Sequence, residues 1–402
     1  MIKNIMERNN RILVLGAGTW QVPWLSKAKA LGLTVYATDW SAAAEGRDIP
    51  HGFSPIDLRD KAATLRFAQK HKVDAIFTSA DIGVQTAAYV ANQMGLPYHS
   101  EELAYCATHK FAMREKARAI GLGVPRYTLV DSLKDAVRET QHTGFPLVIK
   151  PVDSFSSRGV SVVHNQDELR QVFPQSLAAS FEKKILLEEF MVGAEGSVEA
   201  LVRNGVPHIM GISKKQKSPL PYRYDILLAY PGDYSTEACF LIEKFILDLV
   251  KGFEIKNGVI HVEIMVGAHE IRLIEFAVRG CGSKVITHLM PALTQYDVMA
   301  YLLWNALNTQ LPIQISNADC GLLKFMMLPQ GKIKYIVGKE AVRNIPGVLS
   351  FDIECKSGDT IGEIRDGRSR PGYLLAHAKT KEDLNTIVDQ ALSAIKVGYD
   401  DD

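Results

Sequence analysis

The chain has 402 residues, enough for two to four domains, and its 47% hydrophobic and 23% charged residues are ordinary for a globular protein with a packed core. Its 46 Lys and Arg against 45 Asp and Glu leave a formal net charge of +1, so no global field recruits nucleic acid or an anionic membrane, and any anion site must be local. No uninterrupted run of about 18 apolar residues occurs, and the initial MIKNIMERNN carries charges without an apolar segment behind them. Cys106, Cys239, Cys281, Cys320 and Cys355 are scattered, with no CxxC spacing, which suits a reducing compartment better than a disulfide framework or a zinc site. A cytoplasmic protein is expected.

Arg11 to Gly18, RILVLGAG, reads as a short strand ending in glycines. A helical WLSKAKALG and a second strand, TVYATD, follow it, which makes a β-α-β unit. The turn GAGTWQ keeps Gly16 and Gly18 of the dinucleotide fingerprint but has Gln21 where the third glycine belongs. An NAD site would lean on Asp39; the alternative is a helix N-terminus turned to a small anionic ligand. Helices over residues 60–71 and 83–94 flank a strand DAIFTSA, so a parallel, doubly wound sheet is expected to about residue 100. Asp39, Ser79 and Asp81 fall at strand ends, where such sheets bind ligands, and each is also explicable as a turn former or cap.

From residue 108 to 121 a basic helix, HKFAMREKARAIG, ends at a glycine stop, and a second helix spans 132–143. The strand FPLVIKP then carries Lys150, a charge that an apolar strand rarely holds without an anion. The loop VDSFSSRGVSVV comes next, and its hydroxyls and N–H groups could cradle phosphate or simply close a hairpin. ILLEEF leads through a turn into a strand with Glu195, Ser197 and Glu199 on one parity and Val198 and Ala200 on the other. KKQKSPLPYRY is expected to be a solvated, basic active-site loop, and a helix spans 236–252.

Val259 to Gly282 holds two apolar runs separated by GAHE, a hairpin signal. Alternation sets Leu273, Glu275, Ala277 and Arg279 on one face and Ile274, Phe276 and Val278 on a core face; His261, Glu263 and Met265 share a parity on the first strand. Converging carboxylates make a hard oxygen site of the kind Mg²⁺ uses with nucleotide phosphates; the alternative is a surface hairpin with both glutamates in water. One geometric condition separates the two. A two-residue turn at Ala268 and His269 would put Glu263 opposite Ile274, so a metal site requires an odd loop or a bulge. Beyond the hairpin, MPALTQYDVMAYLLWNALN reads as one amphipathic helix, and the tail shows strands LLKFMMLP and VLSFDIE and a last helix, EDLNTIVDQALSAIKV.

The ordered set HKFAMREKARAIGLGVP, PLVIKPVDSFSSRGV, LLEEFMVGAEGSVE, HVEIMV and IEFAVRG resembles the ATP-grasp ligase superfamily from Arg11 to about Leu311. Within it, the chain is similar to the branch of biotin carboxylase, carbamoyl phosphate synthetase, the purine-pathway carboxylate ligases and the L-amino acid ligases. The resemblance implies an α/β fold in four parts: a parallel pre-ATP-grasp sheet (1–107), a small lid (108–192), a central antiparallel domain (193–311) and a small C-terminal α+β part (312–402). It implies ATP and Mg²⁺, with Mn²⁺ as an alternative. Lys110 and Lys150 would hold phosphates under a loop containing Ser154, Ser156, Ser157 and Gly159. Glu188, Glu189, Phe190, Met191 and Val192 would contact adenine, and Glu195 the ribose. Glu263 and Glu275 would be the metal ligands, and Arg279 would steady the carboxylate substrate and the transferred phosphoryl group. Lys215 is a candidate for contacting the acceptor or acyl phosphate. The family's last motif has Asn two residues before its Arg; here Ala277 stands there, and a methyl cannot coordinate.

The expected activity is ATP-dependent joining of a small carboxylic acid to an amine, with no nucleic-acid or membrane partner and a homodimer among the assemblies open to it. A bicarbonate-using carboxylase or carbamoyl-phosphate enzyme, and a non-catalytic nucleotide-binding protein, are the alternatives.

Overall fold

The computed structural model describes residues 10–316 and 319–400; the initial MIKNIMERN lies outside them. Strands β1 (Arg11–Leu15), β2 (Thr34–Asp39), β3 (Gly52–Pro55) and β4 (Ala75–Thr78) form a parallel sheet in the order β3-β2-β1-β4. The run Ile12 to Leu15 is fully buried because both faces of β1 are covered. Ile12 and Val14 pack toward helix α1 (Val22–Ala30) through Trp24, Leu25 and Ala28, whereas Leu13 and Leu15 pack toward α2 (Lys61–His71) and α3 (Asp81–Met94). This is the expected doubly wound layer. Asp39 closes the glycine turn, its carboxylate accepting from the Ala17 and Ser41 N–H groups at 2.8 and 2.9 Å.

Helices α4 (Glu101–Thr108) and α5 (Lys110–Ala119) meet at His109, whose ring nitrogen caps the second by accepting from the Ala112 N–H. Only the second was expected. Next, β5 (Tyr127–Val130), β6 (Leu147–Pro151), β7 (Ser161–Val163) and β8 (Ile185–Glu189) make an antiparallel sheet ordered β5-β8-β6-β7. Helices α6 (Leu133–Thr143) and α7 (Gln166–Ala179) close one of its faces over Leu147, Ile149 and Leu187. By the period of two, Val148, Lys150 and Glu188 are left to the other face.

The central sheet contains β9 (Ala194–Arg203), β10 (Val206–Lys217), β11 (Asp225–Tyr230), β12 (Gly258–Val266) and β13 (Ile271–Ala277). Helix α8 (Thr236–Gly252) repeats Ile242, Phe245, Ile246 and Leu249 along one stripe and packs them on Val198, Ala200, Ile260 and Val262. The opposite face is thereby free for Glu195, Glu199 and Glu263. Strand β10 runs on through Lys217, so the KKQK stretch expected in a loop is sheet; the loop begins at Ser218. The helix expected from Met290 is also divided, into α9 (Met290–Thr294) and α10 (Val298–Ala306), where Asp297 caps the second segment by accepting from the Ala300 N–H.

The sheet does not stop at residue 311. Strand β14 (Cys320–Phe325) pairs with β11, and the full order is β13-β12-β9-β10-β11-β14-β18-β16, with β16 (Val348–Ile353) and β18 (Gly372–Ala378) from the tail. A small sheet of β17 (Thr360–Ile361), β15 (Gly331–Val337) and β19 (Lys396–Tyr399), and helix α12 (Lys381–Ala394) after a short α11 (Lys339–Arg343), complete the chain. All five cysteines are free thiols. Among the described residues no helix is long and apolar enough to cross a membrane.

Candidate functional site

The hairpin β12–β13 meets the condition set by its sequence. Near the turn, Val266 pairs with Ile271, a register that would place Glu263 opposite Ile274; the register then shifts by one residue, and Glu263 faces Glu275. The extra residue is Ile274, a β-bulge. It also exchanges two expected positions: Leu273 is fully buried with Phe276 and Val278, whereas Ile274 lines a cavity with Glu275, Met265 and Val148. Alternation assigned them oppositely because one unpaired residue inverts the parity on its turn side.

Above this hairpin the lid brings its charges inward. Lys150 Nζ lies 2.5 Å from Glu188, and Glu188 also accepts from Arg114 Nε at 2.7 Å; all three side chains are buried. Burial alone would raise the Glu188 carboxyl, but the Arg114 and Lys150 charges outweigh it and hold it below its ordinary value. Burial draws the Lys150 ammonium down, with Glu188 opposing. Lys110 Nζ donates to the Ser154 carbonyl at 2.6 Å and stands 3.4 Å from Glu275. Arg114 was missed from sequence, though it follows Lys110 by four residues and so shares its helix face.

The loop after β6 is held in an uncommon shape. Ser156 and Ser157 both have φ of 59°, a left-handed conformation seldom adopted outside glycine. Gly159, at φ 74°, has no room for a side chain, since a Cβ would come within 2.9 Å of Ala179 and Pro151. Ser154 Oγ donates to the Arg158 carbonyl at 2.9 Å, and the Ser156 carbonyl accepts from the Gly367 N–H at 3.1 Å. Backbone strain of this kind concentrates at ligand clamps.

The expected adenine stretch divides. Glu188, Glu189, Phe190 and Met191 line the same cavity as Lys110, Lys150, Ser154 and Glu195, whereas Val192 is 85% exposed and takes no part in it. Glu195 is engaged by Lys217 at 2.8 Å and Arg223 at 2.9 Å, two cations that sequence reasoning had placed in a solvated loop. Lys215 is buried in the sheet face instead, 2.5 Å from Glu263 and 3.5 Å from Asp225. Burial works against its charge, but Asp225 and Glu263 push its ammonium well above the ordinary lysine range.

A second cavity, about 170 Å³, adjoins the glutamates and is lined by Asp81, Ala277, Arg279, Phe325 and Arg370. Arg279 makes a two-pronged pair with Asp81 at 2.8 and 2.7 Å, tying the segment just after β13 to the start of α3. A more spacious cavity, about 510 Å³, is lined by Arg279, His99 and Asn305 and holds neither glutamate nor either lysine of the lid. Convergence of charge, not size, therefore marks the site.

Glu263 and Glu275 suit a hard divalent cation. They face each other across paired strands, and in this structure a lysine ammonium stands against each carboxylate, Lys215 on Glu263 and Lys110 on Glu275.

Residues 143–288 match the ATP-grasp domain family, and residues 324–400 match L-amino acid ligase C-terminal domain 2. The formate-dependent phosphoribosylglycinamide formyltransferase of Erythrobacter litoralis is 23% identical over 302 residues, covering 73% of this chain and 77% of its own. That of Prochlorococcus marinus is 22% identical over 393 residues, 96% of this chain and 97% of its own. The L-amino acid ligase from Bacillus licheniformis shares the fold with a TM-score of 0.83 at 21% identity, over 98% of this chain and 99% of that one. The N5-carboxyaminoimidazole ribonucleotide synthetase from Thermotoga maritima does so with a TM-score of 0.74 at 19% identity, over 97% and 100%. The chain thus carries an ATP-grasp domain over residues 143–288 and an L-amino acid ligase C-terminal domain 2 over residues 324–400, within a whole-chain fold shared with these two structures.

Proposed function

We propose that the protein is an ATP-dependent carboxylate–amine ligase acting on a small carboxylic acid and an amine. The observation that carries this reading is the meeting of Glu263 and Glu275 between two cavities, one lined by the lid lysines and one by Arg279. The relatives named above include ligases of this kind, which supports the same activity here.

A carboxylate is a poor electrophile, so the acid must first be activated. One of its oxygens bonds to the γ-phosphorus of ATP as the bond to the bridging oxygen breaks and ADP leaves. The amine nitrogen then bonds to the acyl carbon, phosphate departs with the bonding pair, and the nitrogen gives up a proton. Such transfer is mostly positioning and charge neutralisation. Lys110 and Lys150 would hold phosphate oxygens beneath the loop of Ser154, Ser156, Ser157 and Gly159, and Arg279 would orient the acid. Glu188 to Met191 would flank adenine, and Glu195 would meet the ribose. Glu263 and Glu275 would hold Mg²⁺, whose charge would neutralise that of the phosphates. Lys215, 2.5 Å from Glu263, would meet the acyl phosphate. The lid keeps water from the activated acid.

ADP release measured against panels of acids and amines tests the proposal. Turnover should require both, and hydroxylamine should trap the activated acid as a hydroxamate. ADP release that needs neither, with no hydroxamate under any pairing, would reject it; release driven by bicarbonate alone would favour a carboxylase instead.

A further inference from the structure

Ala277 leaves the metal site one donor short of the family pattern, and the strand register shows what stands next to the vacancy. His261 pairs with Ala277 across β12–β13, and Glu199 pairs with His261 across β9–β12. One row of the sheet face therefore reads carboxylate, imidazole, methyl. The neighbouring row reads Ser197, Glu263, Glu275. Directly opposed residues on one face lie about 5 Å apart at Cβ, within reach of an imidazole ring.

The ring is oriented by a fully buried group. Glu199 Oε1 lies 2.5 Å from His261 Nδ1, and Glu199 Oε2 accepts from the Cys281 N–H at 3.2 Å. Nδ1 is thus turned to Glu199, and Nε2 is the ring atom turned toward Glu263. It stands 3.4 Å from Glu263 Oε1. A carboxylate behind one ring nitrogen, with the other nitrogen turned to the glutamate that would share the cation, is the arrangement that orients a histidine for metal ligation. The methyl of Ala277 leaves the cross-strand space to that ring.

We propose that His261 Nε2 is a ligand of the divalent cation held by Glu263 and Glu275, taking the place in the donor set that Ala277 cannot fill. The inference rests on those two glutamates being the metal site. Mg²⁺ keeps to oxygen donors more strictly than the first-row transition ions, among which imidazole is a common ligand, so the exchange of an amide oxygen for a ring nitrogen shifts preference away from Mg²⁺.

The test is pulsed electron paramagnetic resonance of Mn²⁺ bound to the full chain with ADP. Unlabelled protein should show coupling to a directly bound nitrogen that changes isotope pattern when the chain is made with ¹⁵N-histidine. His261→Gln should remove that coupling and weaken Mn²⁺ binding at least about 10-fold, an effect of the size seen when the surroundings of a metal ligand are disturbed. Adding Ala277→Asn to that variant should restore affinity without the nitrogen signal. Bound Mn²⁺ with no histidine coupling in the wild-type chain overturns the assignment of His261 and leaves the glutamate site standing. Failure of Mn²⁺ to bind at all overturns both. The isotope arm needs no variant, so a folding defect in His261→Gln does not decide the matter.

Discussion

The guanidinium of Arg114 donates to the carbonyl of Ile274 at 2.7 Å, across 160 residues of sequence. A bulge frees a backbone acceptor that the ladder cannot use, and here a fully buried arginine takes it. The same side chain holds Glu188, which holds Lys150, so helix α5, the lid strands and the hairpin share one polar network. Arg114→Met leaves the Ile274 carbonyl and one Glu188 oxygen without their donor. Removing one partner of a buried pair costs about 3–5 kcal/mol, which urea unfolding should register. A loss below about 1 kcal/mol, the size of a surface pair, would show the network to be incidental.

Deleting Ile274 tests the bulge itself. The turn-side register then continues without a shift, so Glu275 remains opposite Glu263 and Leu273 and Phe276 remain in the core. What disappears is the Arg114 acceptor and an apolar side chain on the cavity lined by Lys110 and Lys150. Calorimetric titration should show ADP binding weakened about 10-fold, the worth of one half-buried aliphatic side chain. Mn²⁺ affinity should hold. Loss of the metal with the residue would mean that the two glutamates do not meet through this register.

Glu188 gives the network a pH signature. Its carboxyl is held below the ordinary 4.5 in the folded chain, by Arg114 and Lys150 against the opposing effect of burial. The unfolded chain therefore binds the proton more readily, and the stabilisation is complete above about pH 4.5 and disappears as pH falls through the folded value. The urea midpoints of wild type and Glu188→Gln should lie far apart near neutrality and approach each other below about pH 4.5. A separation that stays constant across that range would contradict an ionised Glu188.

Charge stabilisation at the phosphates predicts the kinetics of three further variants. Lys150→Ala and Glu275→Gln should each lower turnover by at least about 10²-fold, as does loss of one group that steadies transferred charge. Arg279→Lys keeps the charge but loses the fork that grips Asp81 through two nitrogens, so it should not behave as a conservative change. Steady-state assays near wild-type rates would withdraw these residues from the site.

Much of this was legible in the sequence because it is written locally. The GAHE turn, the two glutamates and the need for an irregularity all follow from periods of two and the arithmetic of a hairpin. The position of the irregularity does not, since its partner Arg114 sits on a helix remote in the chain. Lys214 to Lys217 were unreadable for a related reason. Alternating lysines look like a solvated loop until Glu263, Asp225 and Glu195 arrive from other strands to neutralise the inward pair, Lys215 and Lys217. By contrast, the division of the helix after Met290 was visible in principle, because the Asp297 cap stands in the sequence as a start signal.

The pairing of β11 with β14, from Leu227 opposite Lys324 to Tyr230 opposite Gly321, also covers an edge of the central sheet. A chain ended before β14 would present β11 as a bare border with Leu227 and Leu228 on it, a template onto which another copy could add its own strand. The tail thus serves as a permanent guard on that border. Truncates lacking it should form aggregates rich in intermolecular sheet even when every residue proposed to touch ATP is still present.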